Sequence, residues 1–182
     1  MSASEAITRT ETIYEGRTET LKVHDVRLED GRVSRREIVE HRGAVALVPL
    51  DADGQVLMVE QFRLATGGTL LELPAGTLEP GEGSRDTAER EIEEETGMIA
   101  GSIEEIGAFF VSPGYCTEKI TVYLATGLTP STQRLDEDEV VEVVPLPFDE
   151  AVARALDGRI RDAKSITGLL LADRRLRADG RR

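Results

Sequence analysis

The segment Gly76 to Met98, GTLEPGEGSRDTAEREIEEETGM, constrains this chain more than any other. Glu91, Glu94 and Glu95 fall at i, i+3 and i+4, so a helix gathers the three carboxylates on one side. They cover about a 100° sector, with Ala88 and Ile92 next to it, about 40° apart. Like charges so spaced oppose helix formation by roughly 0.2–0.5 kcal/mol per pair. A hard divalent cation held by oxygen ligands is the natural agent to offset that repulsion.

The pattern around the segment alternates strands and helices. Residues 7 to 41 read as an extended section in which Leu21, Val23, Val26 and Leu28 favour strand and Glu29-Asp30-Gly31-Arg32 supplies a hairpin turn. Ile38 and Val39 continue the return strand. Ala44 to Leu50 is a nearly continuous apolar run, the mark of a strand covered on both faces. Asp51 to Gly54 is a turn, followed by strands at Gln55 to Phe62 and Thr69 to Leu73. The acidic helix is expected from Ser84, as N-cap, to Gly97 as its C′ residue. Further strands are expected at Ile103 to Val111, Lys119 to Ala125 and Val140 to Leu146. Asp149 is the expected cap of a helix that buries Val152, Ala155 and Leu156. A last helix, about Asp162 to Arg177, buries Ile166, Leu169, Leu170 and Leu176.

At 182 residues the chain suits one domain that buries its core without disulfides. Cys116 is the only cysteine, so no intrachain disulfide is possible, and a reducing, cytoplasmic setting is expected. No N-terminal segment resembles a signal peptide, and no apolar run approaches the length of a membrane span. With 35 acidic against 22 basic residues the net charge is −13, which argues against bulk nucleic-acid binding. An anionic substrate would be repelled unless metal or local arginines reverse the field.

The acidic segment matches the Nudix signature at its defining positions: Gly76, Glu82, Arg90-Glu91-Ile92, Glu94-Glu95, Gly97 and Met98. About nine positions are fixed over 23 residues, and an ELPAG lead-in is present as Glu72 to Gly76. The resemblance extends over most of the chain. It implies an α/β (α+β) fold, the Nudix α/β/α sandwich, with a mixed sheet between helices and an N-terminal antiparallel strand section added. On that reading residues 1–41 are an arm for dimerisation and substrate binding, and 42–182 are the hydrolase domain. The resemblance assigns metal ligation to Glu91 and Glu95, with the Ala75 carbonyl completing the shell. Glu94 is either a further ligand or a residue that orients water, and Arg90 pairs with a carboxylate and aims it. Glu82 either ligates or braces the loop. The chemistry is coherent, because divalent ions bridge phosphate oxygens, polarise phosphorus and lower the pKa of bound water.

Pro113, 16 residues beyond Gly97 in Ser112-Pro113-Gly114-Tyr115, and Glu118 after it are similar to the ADP-ribose pyrophosphatase branch of the family. The run Leu135 to Glu139 resembles the acidic loop of that branch. By that resemblance Glu137 is the general base and Glu139 helps to hold metal. The branch also implies a homodimer whose N-terminal strands cross to the partner and form part of the adenine pocket. Arg17, Arg35 and Glu37 match nucleotide-contacting positions there, and Arg63 matches a phosphate clamp. The expected enzyme hydrolyses ADP-ribose with Mg²⁺ or Mn²⁺ to AMP and ribose 5-phosphate.

Three rival readings remain beside it. The substrate is GDP-mannose, another nucleotide sugar or NADH; the domain only senses a nucleotide; or the acidic surface is a protein-interaction module. The intact Arg90, Glu91, Glu94 and Glu95 set argues against the sensor. Other chemistries find no support. Cys116 reads as a passive small residue, and His24 and His41 give no basis for a triad. An EF-hand at Asp51 would need glycine at Val56 and glutamate at Phe62.

Overall fold

The computed structural model describes residues 5–135 and 139–180. The chain packs as two compact units. One comprises the N-terminal residues through Gly43 together with 110–119; the other comprises 44–109 and the chain from Ile120 onward.

The first unit is built on an antiparallel meander of β1 (Ala6–Glu15), β2 (Glu19–Arg27) and β3 (Val33–His41). The expected hairpin turn joins β2 to β3: Leu28 N–H donates to the Arg32 carbonyl at 2.9 Å, and Gly31 takes φ +85°. That left-handed conformation suits glycine and few other residues. Segment 110–119 belongs to this unit, and Val39 of β3 exchanges backbone bonds with Tyr115 and Thr117 at 2.8 and 3.0 Å. Every residue of β1 is exposed, including Ile7, Ile13 and Tyr14.

The larger unit contains β4 (Ala44–Pro49), β5 (Gln55–Arg63), β6 (Gly68–Glu72), β7 (Ala75–Thr77) and α1 (Ser84–Thr96). It continues with β10 (Val141–Pro147), α2 (Phe148–Asp157) and α3 (Ala163–Ala178). Two strands, β8 (Met98–Phe110) and β9 (Lys119–Pro130), belong to it for all but one residue each. One sheet is mixed, in the order β7-β4-β9-β8 with β4 and β9 parallel. The second is antiparallel, in the order β10-β5-β6.

Period-two alternation explains the layers. Val45 and Leu47 of β4, with Tyr123 and Ala125 of β9, pack against Ala88 and Ile92 of α1. Their neighbours Val48, Val122 and Leu124 point the other way, onto Ala151, Val152 and Ala155 of α2 and Leu169, Ala172 and Leu176 of α3. Successive residues of a strand face opposite sides, so β4 and the central stretch of β9, buried on both faces, require a helical layer on each side. This is the α/β/α arrangement with a mixed sheet.

Element ends depart from the sequence reading in several places. Ser84 is not the cap of α1 but its first helical residue. Gly83 occupies the cap position, and the Ser84 hydroxyl bonds the Tyr123 hydroxyl at 2.8 Å. Asp149 does not cap α2, which starts at Phe148 after Pro147; as a first-turn anion it still complements the helix dipole. Phe148 takes the buried place expected of Leu156, which is 70% exposed. Leu170 is at the surface, and Gly168 occupies the buried stripe of α3 instead, where a Cβ would come within 2.5 Å of Leu73 Cδ1. Strand β7 is unforeseen, β8 starts at Met98 rather than Ile103, and β9 runs past Ala125. Among the described residues no helix is long and apolar enough to cross a membrane.

Ile92 is fully buried and ties the acidic helix to the sheet. Ile92→Ala is expected to cost about 2–5 kcal/mol of unfolding free energy by cavity formation, read from denaturant midpoints at constant m. A loss below about 0.5 kcal/mol would show that α1 is not anchored there.

Candidate active site

The short stretch from β6 through β7 and one side of α1 form the site. Strand β7 is held on β4 by the pairs Ala46–Ala75 and Val45–Gly76, and Leu47 N–H donates to the Pro74 carbonyl at 2.8 Å. With Ala88 and Ile92 fixed in the core, helical geometry turns Glu91 and Glu95 toward that stretch. Glu95 is 4% exposed, and its Oε2 accepts the Ala75 N–H at 3.0 Å. Glu91 lies directly on Gly76: a Cβ there would stand 1.8 Å from Glu91 Oε1. The signature glycine is therefore a matter of space, since any side chain would displace this carboxylate.

Arg90 organises the flank. Its Nε and Nη2 bond Glu82 Oε1 and Oε2 at 3.1 and 3.0 Å. Its Nη1 donates to Glu91 Oε1 at 2.6 Å and Glu94 Oε2 at 2.9 Å. One guanidinium thus serves three carboxylates, and those hydrogen bonds, Glu82 first, raise its pKa further above its ordinary value. Glu82 is pushed down to about 2, chiefly by the Arg90 bond, and also accepts from Glu79 N–H and the Thr87 hydroxyl. This geometry makes Glu82 a brace between loop and helix.

Glu91 and Glu95 shift the opposite way. Burial is the main cause that lifts Glu91 to about 7, with Arg90 opposing and Glu94 and Glu139 adding repulsion. Burial lifts Glu95 to about 8 despite the Ala75 bond, and the charges of Glu91 and Glu139 reinforce it. Two desolvated carboxylates that repel each other favour a cation between them. The donors are all oxygen, which suits a hard divalent ion. Among the described residues no three acidic, histidine or cysteine side chains converge into a ready-made cage.

The loop after β9 is stapled to the end of α1. Ser131 N–H donates to the Gly97 carbonyl at 2.7 Å, Gln133 Nε2 to Glu95 at 2.6 Å and Arg134 N–H to Glu94 at 3.0 Å. These bonds satisfy carbonyls that a helix end leaves unpaired. Glu139 is exposed, and its charge acts on both Glu91 and Glu95. Glu137, the expected base, lies outside the described residues.

Arg63, the expected phosphate clamp, is in the larger unit and bonds the buried Glu72 carboxylate, with Nη2 2.7 Å from Oε2. The remaining substrate-binding candidates belong to the N-terminal unit. Arg17 is exposed at the β1–β2 turn, and its carbonyl accepts from Arg42. Arg35 and Glu37 are exposed on β3, with Arg35 Nε 3.3 Å from Asp25. Pro113 is exposed in segment 110–119, and the Glu118 carbonyl there accepts from Val111 N–H at 3.1 Å. Sequence reasoning passed over Lys164 and Gln133, and gave Glu72 no role. Only Glu72 carried a signal, its place in the ELPAG lead-in; Lys164 and Gln133 act through contacts about 92 and 38 residues apart in the chain.

The family model for the Nudix domain matches residues 40–169. The chain is 43% identical to the methanol dehydrogenase activator of Bacillus methanolicus, over 87% of this chain and 86% of that protein. It is also 43% identical to the ADP-ribose pyrophosphatase of Bacillus subtilis, over 85% of each. A crystal structure of an ADP compounds hydrolase superposes with a TM-score of 0.85 at 25% identity, over 98% of this chain and 97% of that one.

The raised carboxylates predict how stability depends on pH. Below the ordinary value of 4.5 Glu91 and Glu95 are neutral whether folded or not; as pH rises through about 7 and 8 the folded state resists their ionisation and is weakened. Thermal melts in EDTA are expected to fall from pH 5 to pH 8, with magnesium restoring more stability at pH 8 than at pH 5. Glu95→Gln should flatten the slope, and a melting temperature that climbs over this range in EDTA would contradict the assignment. The Glu82 contribution lies in a separate window, since it fades only as pH drops from 4.5 toward 2.

Proposed function

This chain belongs to the Nudix family, and on that premise we propose that it hydrolyses the pyrophosphate bond of ADP-ribose or a closely related nucleoside diphosphate sugar. The products from ADP-ribose are AMP and ribose 5-phosphate. The observation that carries this reading is the pair of carboxylates, half-buried Glu91 and buried Glu95, held against Gly76 and Ala75. Identity of 43% to an ADP-ribose pyrophosphatase supports the choice of substrate.

In this reading Glu91, Glu95, the Ala75 carbonyl and Glu139 hold the metal, taken to be Mg²⁺ with Mn²⁺ as a substitute. The bound cation supplies charge neutralisation and polarises the phosphoryl oxygens. Arg90 fixes Glu91 and Glu94 in orientation, and Glu94 either joins the ligands or orients water. Glu137 takes the proton from the water that attacks phosphorus, and a loop carboxylate suits a base that closes on bound substrate. Arg63 receives a phosphate. Arg17, Arg35 and Glu37 contact the nucleotide, and Pro113 and Glu118 line the substrate.

The protein acts as a cytoplasmic homodimer, with residues 1–41 as the exchanged arm. The exposed Ile7, Ile13 and Tyr14 of β1 support that arm as a docking strand. A net charge of −13 makes nucleic acid and anionic membrane unfavourable partners. Equal identity to a methanol dehydrogenase activator favours a second reading, in which the chain acts on another protein. One readout separates them, because the first requires turnover by the purified chain alone.

A panel of ADP-ribose, GDP-mannose, other nucleotide sugars and NADH, incubated with Mg²⁺ and scored for products, tests the substrate. AMP and ribose 5-phosphate are expected fastest, from ADP-ribose; no product from any compound sinks the proposal. Glu91→Gln and Glu95→Gln should each lower kcat by at least about 10²-fold, roughly 3 kcal/mol of barrier. Glu137→Gln should lower kcat without changing metal affinity, and full activity in that variant removes it as the base. Light scattering of a chain lacking residues 1–40 is expected to report loss of the dimer, whereas an unaltered, active oligomer refutes the exchanged arm.

A further inference from the structure

Glu72 is a carboxylate buried to 2% side-chain exposure that no step above uses. Arg63 Nε lies 3.1 and 3.3 Å from its two oxygens, and Arg63 Nη2 lies 2.7 Å from Oε2. The guanidinium is planar, so fixing Nε and Nη2 fixes the direction in which Nη1 points. Among the described residues nothing bonds Nη1, and the Arg63 side chain is 41% exposed.

A second cation meets the same oxygen. Lys164 Nζ is 2.5 Å from Glu72 Oε2 and 3.0 Å from Asp162 Oδ2. Asp162 is itself held as the cap of α3 by Ser165 N–H at 2.9 Å and the Ser165 hydroxyl at 2.5 Å. Ser165 Oγ also accepts Leu73 N–H at 2.6 Å, which joins the start of α3 to the end of β6. Asp162 bonds Lys164 and not Arg63, which feels Asp162 and Glu95 only through their charge at longer range. With Lys164 sharing Glu72, less of that negative charge falls on Arg63. In a chain of net charge −13, a guanidinium with an exposed, unbonded Nη1 edge is what an anionic substrate needs.

We infer that Glu72 and Lys164 are positioning residues for Arg63: Glu72 sets the plane of its guanidinium, and Lys164 offsets the Glu72 charge so that Nη1 is kept for the substrate diphosphate. This rests on the reading above in which Arg63 receives a phosphate. It assigns neither Glu72 nor Lys164 any contact with substrate. Their effect must therefore vanish when Arg63 is absent.

The test is calorimetric titration of ADP-ribose in EDTA, where no turnover occurs, on Lys164→Met, Lys164→Arg, Arg63→Ala and the Arg63→Ala/Lys164→Met pair. Lys164→Met is expected to weaken binding roughly tenfold, the loss typical of a charged hydrogen bond, and Lys164→Arg to recover most of it. Adding Lys164→Met to Arg63→Ala should cost nothing further. Wild-type affinity in Lys164→Met, or an equal loss with and without Arg63, overturns the inference. A readout without substrate comes from spectra of protein labelled with ¹⁵N at arginine Nε. The Arg63 Nε–H signal should be sharp and slow to exchange in the native protein and lose that protection in Glu72→Gln. Retained protection overturns the claim even if Lys164→Met fails to fold. Should the native protein bind no ADP-ribose in EDTA, the arginine spectrum decides the positioning claim, and the substrate reading is decided separately by the Mg²⁺ turnover panel.

Discussion

One guanidinium, that of Arg90, makes the crowded carboxylates of this site compatible with a folded chain. It bonds Glu82, Glu91 and Glu94 at once, so part of the repulsion built into the REIEEE run is offset from inside the same helix. Glu95 has no share in that charge. It is buried and held by the Ala75 N–H, with Lys164 acting on it at longer range. One group of carboxylates is therefore tied to Arg90, and one carboxylate, Glu95, lies outside it. Glu91 links the two, since it bonds Arg90 and still repels Glu95.

The scaffold allows this because the two sides of α1 do different work. Ala88 and Ile92 are locked against Val45, Leu47 and Tyr123, so the helix cannot rotate to relieve its acidic side. Strand β7 is pinned on β4 and brings Ala75 and Gly76 under Glu95 and Glu91. Packing supplies the rigidity, and the site draws on it to keep like charges within reach of one another. Strain of this kind is what a cation relieves on binding, which couples occupancy of the site to stability.

The parts that were legible in the sequence are those with a local period. The run Ala44 to Leu50 announced a strand covered on both faces, and Glu91, Glu94 and Glu95 announced a helix side; both hold. The mixed sheet between helices followed from the signature and its surroundings and is present. Ends of elements were less legible. Ser84 has the chemistry of a cap, yet Tyr123 from a distant strand claims its hydroxyl. Leu156 has the right side chain for the core, but α2 begins at Phe148, which takes that place. Strand β7 is only three residues long and shows no period at all. The Glu72, Arg63 and Lys164 cluster was hidden for a different reason, since Lys164 joins the Arg63–Glu72 pair only when α3 docks on the end of β6.

The staple between residues 131–134 and the end of α1 bears on how such a protein is redesigned. Loops between strands are the usual places to exchange sequence when substrate range is altered. Here the first four residues after β9 are chemically part of the helix, because they satisfy its last carbonyls. The segment open to grafting thus begins after Arg134, not where the strand stops. A transplanted loop that omits this root would unravel the final turn, and with it the spacing of Glu94 and Glu95, before its own new residues had any say in selectivity.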